Sequence, residues 1–253
     1  MPTPLPETID DVLIRLNRLL DDAIRDGQRI GYFVALYERV TANVRHALIA
    51  GTVFDDGPRM ERLDVVFANR FIEAWERHAA GQRPTASWAV AFDLLEDPGP
   101  LVVQHLMLGM NAHINLDLGI AAATVAPTPA ELEALHADFN RINDVLARLT
   151  RVVEVQLCTI CPPLTRLADR VTVEDRLFDF GLNAAREIAW KLAHELVAAP
   201  RDTWPSIVER RDALSAVAAR ALYPLDGLAK VTALAFHAHE NRDIRWNIQV
   251  VSS

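Results

Sequence analysis

The sequence predicts an all-α protein: a single-domain multi-helix bundle over residues 1–253, built around a buried central helix. Three observations carry that prediction. Alanine and leucine dominate, only 10 of 253 residues are glycine, and β-branched runs are short, a mixture that favours helices. Apolar residues recur at helical spacing in most segments between proline and glycine punctuation. Residues 101–126 contain no lysine, arginine or glutamate, the mark of a helix buried on all sides. A chain of this length can bury a sizeable core. Its 51% hydrophobic and 24% charged content is ordinary for a soluble globular protein.

The elements follow in chain order. "TIDDVLIRLNRLLDDAIRDG" is a helix with Thr8 as N-cap and Gly27 past its end. "YFVALYERVTANVRHALIAG" places Phe33, Leu36, Val40, Val44 and Leu48 on one face. A loop, "GTVFDDGP", leads into the helix "RMERLDVVFANRFIEAWERHAAG", and a shorter helix lies between Pro84 and Pro98. The central helix spans roughly residues 101–125. The next begins with Thr128 as N-cap, Pro129 at the first helical position and Glu131 closing a capping box. It runs for roughly 28 residues and stops before Pro162. Because the connection is short, these two helices are expected to be antiparallel neighbours. Thr172 then caps a helix that Pro200 stops, and two shorter helices follow in "WPSIVERRDALSAVAARAL" and "GLAKVTALAFHAHE". The tail "NRDIRWNIQVVSS" carries the one hint of extended structure.

The chemistry is concentrated in "HLMLGMNAHINLDLG", residues 105–119. At 100° per residue, with His105 at zero, Gly109 falls near ~40°, His113 near ~80° and Asp117 near ~120°. Histidine and carboxylate one turn apart can chelate a metal, and Gly109 leaves room for a backbone, ligand or water. His105, His113 and Asp117 are therefore candidate ligands of a divalent metal, completed from other helices by residues such as Asp64, His46, Glu187 or His194. Without a metal, His113 oriented by Asp117 is a candidate general base. A hydrogen-bonded pair that only sets helix register is the structural alternative. Gln104, Asn111 and Asn115 fall on the opposite side, around ~240–280°. Asn111 and Asn115 are expected to pair with Asn140 and Asn143 of the following helix, or to line a cavity for a polar ligand.

Other features exclude more than they suggest. A net charge of −8 argues against affinity for nucleic acid or an anionic membrane. The central stretch carries too many polar groups for a membrane span. Cys158 and Cys161 have neither the preceding strand of a redox pair nor the second pair of a zinc site. With no signal peptide and reduced thiols, the cytoplasm is the expected compartment. There is no second histidine to make His194–Glu195 an H-E-x-x-H site, and no nucleophile elbow, P-loop or dinucleotide fingerprint. Arg70 lies six residues after Asp64 and so on another face of its helix, while Trp75, Trp88, Trp190 and Trp246 read as core.

"QHLMLGMNAHINLDLGIAAA", with "YFVALYERVT", "GTVFDDGPRMERLDVVFANRF", "SWAVAF" and the C-terminal "IRWNIQ", resembles the domain-of-unknown-function family numbered 5995. Asn111, His113, Asn115, Asp117 and Gly119 match its signature string, and the resemblance implies no activity. The H-x-x-x-D step is similar to one in zinc-dependent phospholipases C, but the N-terminal tryptophan of those enzymes is missing here. Three function classes stay open. They are a metal-assisted hydrolase, a small-molecule binding protein without chemistry, and a structural protein whose polar stripes set register.

Overall fold

The computed structural model describes residues 4–165, 177–223 and 226–253, and every regular element among them is a helix. α1 (Ile9–Asp26) starts at Thr8, whose hydroxyl accepts the Asp11 N–H while the Asp11 carboxylate takes the Thr8 N–H. Gly27 ends it with φ 67°, a left-handed turn that a side chain would resist. In α2 (Ile30–Ala50) all residues from Ile30 to Tyr37 are buried, because α1, α5 and α11 pack around it. α3 (Gly57–Ala79) is capped by Asp56, which accepts the Arg59 N–H at 2.9 Å. α4 (Ala86–Asp93) has no local cap; Asp212 of α9 accepts the Ser87 N–H and hydroxyl at 2.8 and 2.7 Å.

The central rod is α5 (Val102–Ala112), a π-helical turn (His113–Leu118) and α6 (Gly119–Val125). α7 (Pro129–Ile160) carries the expected Thr128–Glu131 capping box and Pro129. It runs to 32 residues and breaks at Cys161, before Pro162. α8 (Leu177–Ala198) ends ahead of Pro200, while the Thr172 cap expected for it lies outside the described residues. α9 (Trp204–Leu222), α10 (Gly227–His237) and α11 (Ile244–Ser252) complete the chain.

Two apolar clusters form the core, and the rod belongs to both. Leu106, Leu108 and Ala112 sit with Phe33, Phe71, Trp88 and Ile248. From within the π turn onward, Leu116, Leu118 and Ala121–Ala123 sit with Leu132, Phe139, Leu192 and Leu196. The π turn is the hinge between the two.

Three expectations are corrected. The tail is not extended. Asp243 accepts the Trp246 N–H at 3.1 Å to start α11, and Ile248 and Val251, one turn apart, bury its inner face. The rod is not one uninterrupted α-helix over 101–125, since the π turn divides it. Nor is α7 the main neighbour of the rod. α6 packs chiefly on α8 and α3, and α7 on α8, α2 and α11, because Gly119 lets α8 come closest. Among the described residues no helix is long and apolar enough to cross a membrane.

Candidate functional site

The π turn inserts its polar residues between two packed cores. His113 and Asp117 stand one turn apart, with Nδ1 3.5 Å from Oδ2. That spacing is electrostatic contact without an aligned hydrogen bond, and neither ring nitrogen has a hydrogen-bond partner. The His113 ring stacks on Phe67, centroids 3.6 Å apart and planes within 6°. Tyr37 meets it edge-on at 4.5 Å, and Phe33 and Trp88 complete an aromatic box. Burial pulls the imidazole below its usual range, against the pull of Asp117, so His113 is neutral at physiological pH.

Asp117 is the better-satisfied partner. Its Oδ1 accepts Arg70 Nε at 2.6 Å, and its Oδ2 accepts the indole N–H of Trp88 at 2.8 Å. Desolvation alone would raise this carboxyl, but Arg70, His113 and Trp88 together hold it below its usual value. A carboxylate that is 1% exposed thus remains ionised inside the core. This is the network that the sequence reading missed. Asp64, on the same helix as Arg70, lies on another face, and the carboxylate that Arg70 meets arrives from the rod.

The expected metal set is not assembled. His105 and His113 do share a face, since both meet α2 through Tyr32 and Phe33. Eight residues of helix nevertheless separate them by ~12 Å along the axis. His105 sits against Tyr32, with burial pulling its pKa down to about 4. A cation at Asp117 would have to displace Arg70. His46, Glu187 and His194 are exposed, and among the described residues no three His, Cys, Asp or Glu side chains converge. The described residues around His113 and Asp117 offer a divalent ion no third ligand. Gly109 likewise admits no ligand: the Phe33 ring fills the space, so that an added Cβ would lie 2.4 Å from it.

The amide stripe has different partners from those expected. The Asn111 amide donates to the Ser215 carbonyl at 2.9 Å and its hydroxyl at 3.1 Å, and Asn115 donates to Asn111 Oδ1 at 2.8 Å. The stripe therefore meets α9, not α7, and Gln104 also reaches α9 through the Leu222 carbonyl. Exposed Asn140 pairs instead with His136 of its own helix, and Asn143 Oδ1 has no hydrogen-bond partner. Neither borders the cavity, and α7 is not among the main packing partners of the rod.

Asn111, His113 and Asn115 instead border a cavity of about 320 Å³ between α2, α3, the rod, α7, α8 and α9. Its walls are apolar, with Leu36, Val40, Met60, Phe67, Leu149 and Val153 among them. Five buried or half-buried residues on it carry side-chain atoms without a hydrogen bond: Tyr37 at its hydroxyl, Asp64 at Oδ2, His113 at both nitrogens, Asn115 at Oδ1 and Arg186 at Nε. Desolvation, with the nearby charge of Glu61, pushes the Asp64 carboxyl up to about 7.

The sequence signature of a family of unknown function, DUF5995, matches residues 9–224. The chain belongs to that family. No curated protein and no solved structure matches it. The DUF5995 match spans α1 through α9 and so takes in the His113–Asp117–Arg70–Trp88 network and every wall of the cavity. α10 and α11, including the "IRWNIQ" string, lie beyond it. In this DUF5995 chain two signals could have located the missing partners. Arg70 is a cation embedded in the apolar "VVFANRFIEAW" pattern, and Arg186 falls on the apolar face of "AAREIAWKLA".

Proposed function

We propose that the protein binds a small, largely apolar molecule in the cavity between α2, α3, the rod, α7, α8 and α9. One observation carries this reading: a cavity of about 320 Å³ with largely apolar walls, bordered by a buried histidine whose ring nitrogens make no hydrogen bond. Concave apolar sites of roughly 300–1,000 Å³ with a few convergent polar groups are the usual form of a ligand pocket. A buried polar group without a hydrogen bond costs about 1–3 kcal/mol, which a ligand acceptor or donor at His113 would recover.

Titration with Nile red, an uncharged apolar dye, tests the reading. The protein should raise the dye's fluorescence with one-to-one saturation. Val40→Trp, which places an indole in the cavity, should abolish the rise while the helical circular dichroism is retained. A dye signal absent in the wild type, or unchanged by Val40→Trp, would refute it.

A second reading has its own support. His113 is neutral, borders the cavity and has Asp117 beside Nδ1, an arrangement suited to a general base acting on a bound ester. Hydrolysis of p-nitrophenyl acyl esters that is lost in His113→Ala would favour it. Equal rates in wild type and variant would exclude it for such substrates.

A further inference from the structure

We infer that the ligand of this cavity is an amphipathic monocarboxylate, a medium-chain fatty acid in its chemistry, held through its carboxylate by Arg186. The inference rests on the ligand-binding reading above and specifies what that ligand is.

Arg186 is a cavity residue only 6% exposed, on α8. A buried guanidinium is ordinarily paired with a carboxylate, because an isolated buried charge is costly. This one is not: among the described residues no carboxylate lies within ion-pair distance of it. Its Nη2 donates to the Phe139 carbonyl, its central carbon sits 4.3 Å over the Phe139 ring, and its Nε–H has no acceptor. Phe139 therefore fixes the guanidinium plane while leaving the Nε–H unused. Burial pulls the group down to about 10, so it still carries its charge at neutral pH.

A planar fork with a free Nε–H matches a carboxylate, which arginine binds through parallel hydrogen bonds. One cation balances one negative charge, whereas a phosphate dianion would be left with excess charge against apolar walls. The remainder of the ligand is hydrocarbon, because most of the wall, with Leu149, Val153, Met60 and Val40 in it, is apolar, and a second negative charge would meet Glu154 there. The volume of about 320 Å³ lies at the lower end of the range for ligand pockets, which selects a medium chain over a long one.

Dodecanoate and dodecanol, equal in chain length but differing in charge, separate the parts of this argument. Each is titrated against the Nile red complex near neutral pH in the wild type, Arg186→Met and Arg186→Lys. In the wild type the acid should displace the dye at a concentration about tenfold or more below that of the alcohol. Arg186→Met should bring the two together by weakening the acid alone, and Arg186→Lys should keep part of the preference. Equal displacement by acid and alcohol in the wild type would overturn the inference without needing any variant. So would an Arg186→Met protein that keeps the preference. In both cases dye binding survives and the apolar-ligand reading stands. Failure of the wild type to bind Nile red at all overturns both.

Discussion

Asp117 shows how a single side chain becomes structural by accumulating partners. Its two oxygens hold a guanidinium from α3 and an indole from α4, so one carboxylate ties three elements together. Removing one partner of a buried ion pair leaves the other uncompensated. Arg70→Met should therefore cost about 3 kcal/mol in urea unfolding, reduced because Arg70 is itself partly exposed. Trp88→Phe keeps the ring and removes only the indole donor, so about 1–3 kcal/mol is expected. In the Arg70→Met, Asp117→Asn double variant the losses should fall short of their sum by more than 0.5 kcal/mol or so, since the two residues interact directly. Strict additivity would show that the pair contributes nothing of its own. The same folding pressure leaves His113 less satisfied than Asp117, and that inequality directs attention to the cavity.

At the scale of the element, the rod works because its two glycines lie at crossings. Gly109 faces the Phe33 ring, and Gly119 faces the Ala189 carbonyl of α8, with an added Cβ 2.6 Å from that oxygen. The two sites should respond differently. Gly109→Ala pushes against a side chain that can rotate, and overpacking of this kind costs about 1–3 kcal/mol. Gly119→Ala pushes against a backbone and requires α8 to move as a body. Thermal melts should show the larger loss for Gly119→Ala; the reverse order would mean that α6 and α8 are not in the described contact. Between the glycines, the π turn shifts the helix's register by about one residue, which explains why angles measured from His105 on an ideal helix do not carry past residue 113.

For the whole molecule, buried titratable groups set the pH dependence, and they act in opposite directions. His105, held near 4, and His113, also lowered, take up protons more readily when unfolded, so their contribution to stability falls as pH drops below about 6.5. Asp64, raised to about 7, and Glu240, also raised to about 7, behave oppositely. Their folded forms hold a proton that the unfolded chain releases near its ordinary carboxyl pKa. Their contribution is present in acid and is lost as pH rises from about 4 to about 7. The wild type should therefore show only weak pH dependence of stability across this window. Asp64→Asn removes one of the opposing slopes. Relative to the wild type it should gain stability on the order of 2–4 kcal/mol between pH ~4.5 and ~7.5. A difference that stays constant with pH would mean that Asp64 is ionised throughout.

The local devices of the fold were legible in the sequence: Thr8 and Gly27 around α1, Thr128 with Pro129 and Glu131 ahead of α7, and the all-apolar character of the rod. So was the i,i+4 step from His113 to Asp117, because it depends only on helical geometry. What the sequence could not supply was who meets whom. That Asp117 takes Arg70 and Trp88, that Asn111 meets Ser215 instead of Asn140 or Asn143, and that Asp212 caps α4 are contacts over long stretches of chain. Periodicity fixes which face of a helix is apolar, but the partner of that face depends on the packing of all the helices at once. The cavity is the extreme case, since it exists only where six elements fail to fill the space between them.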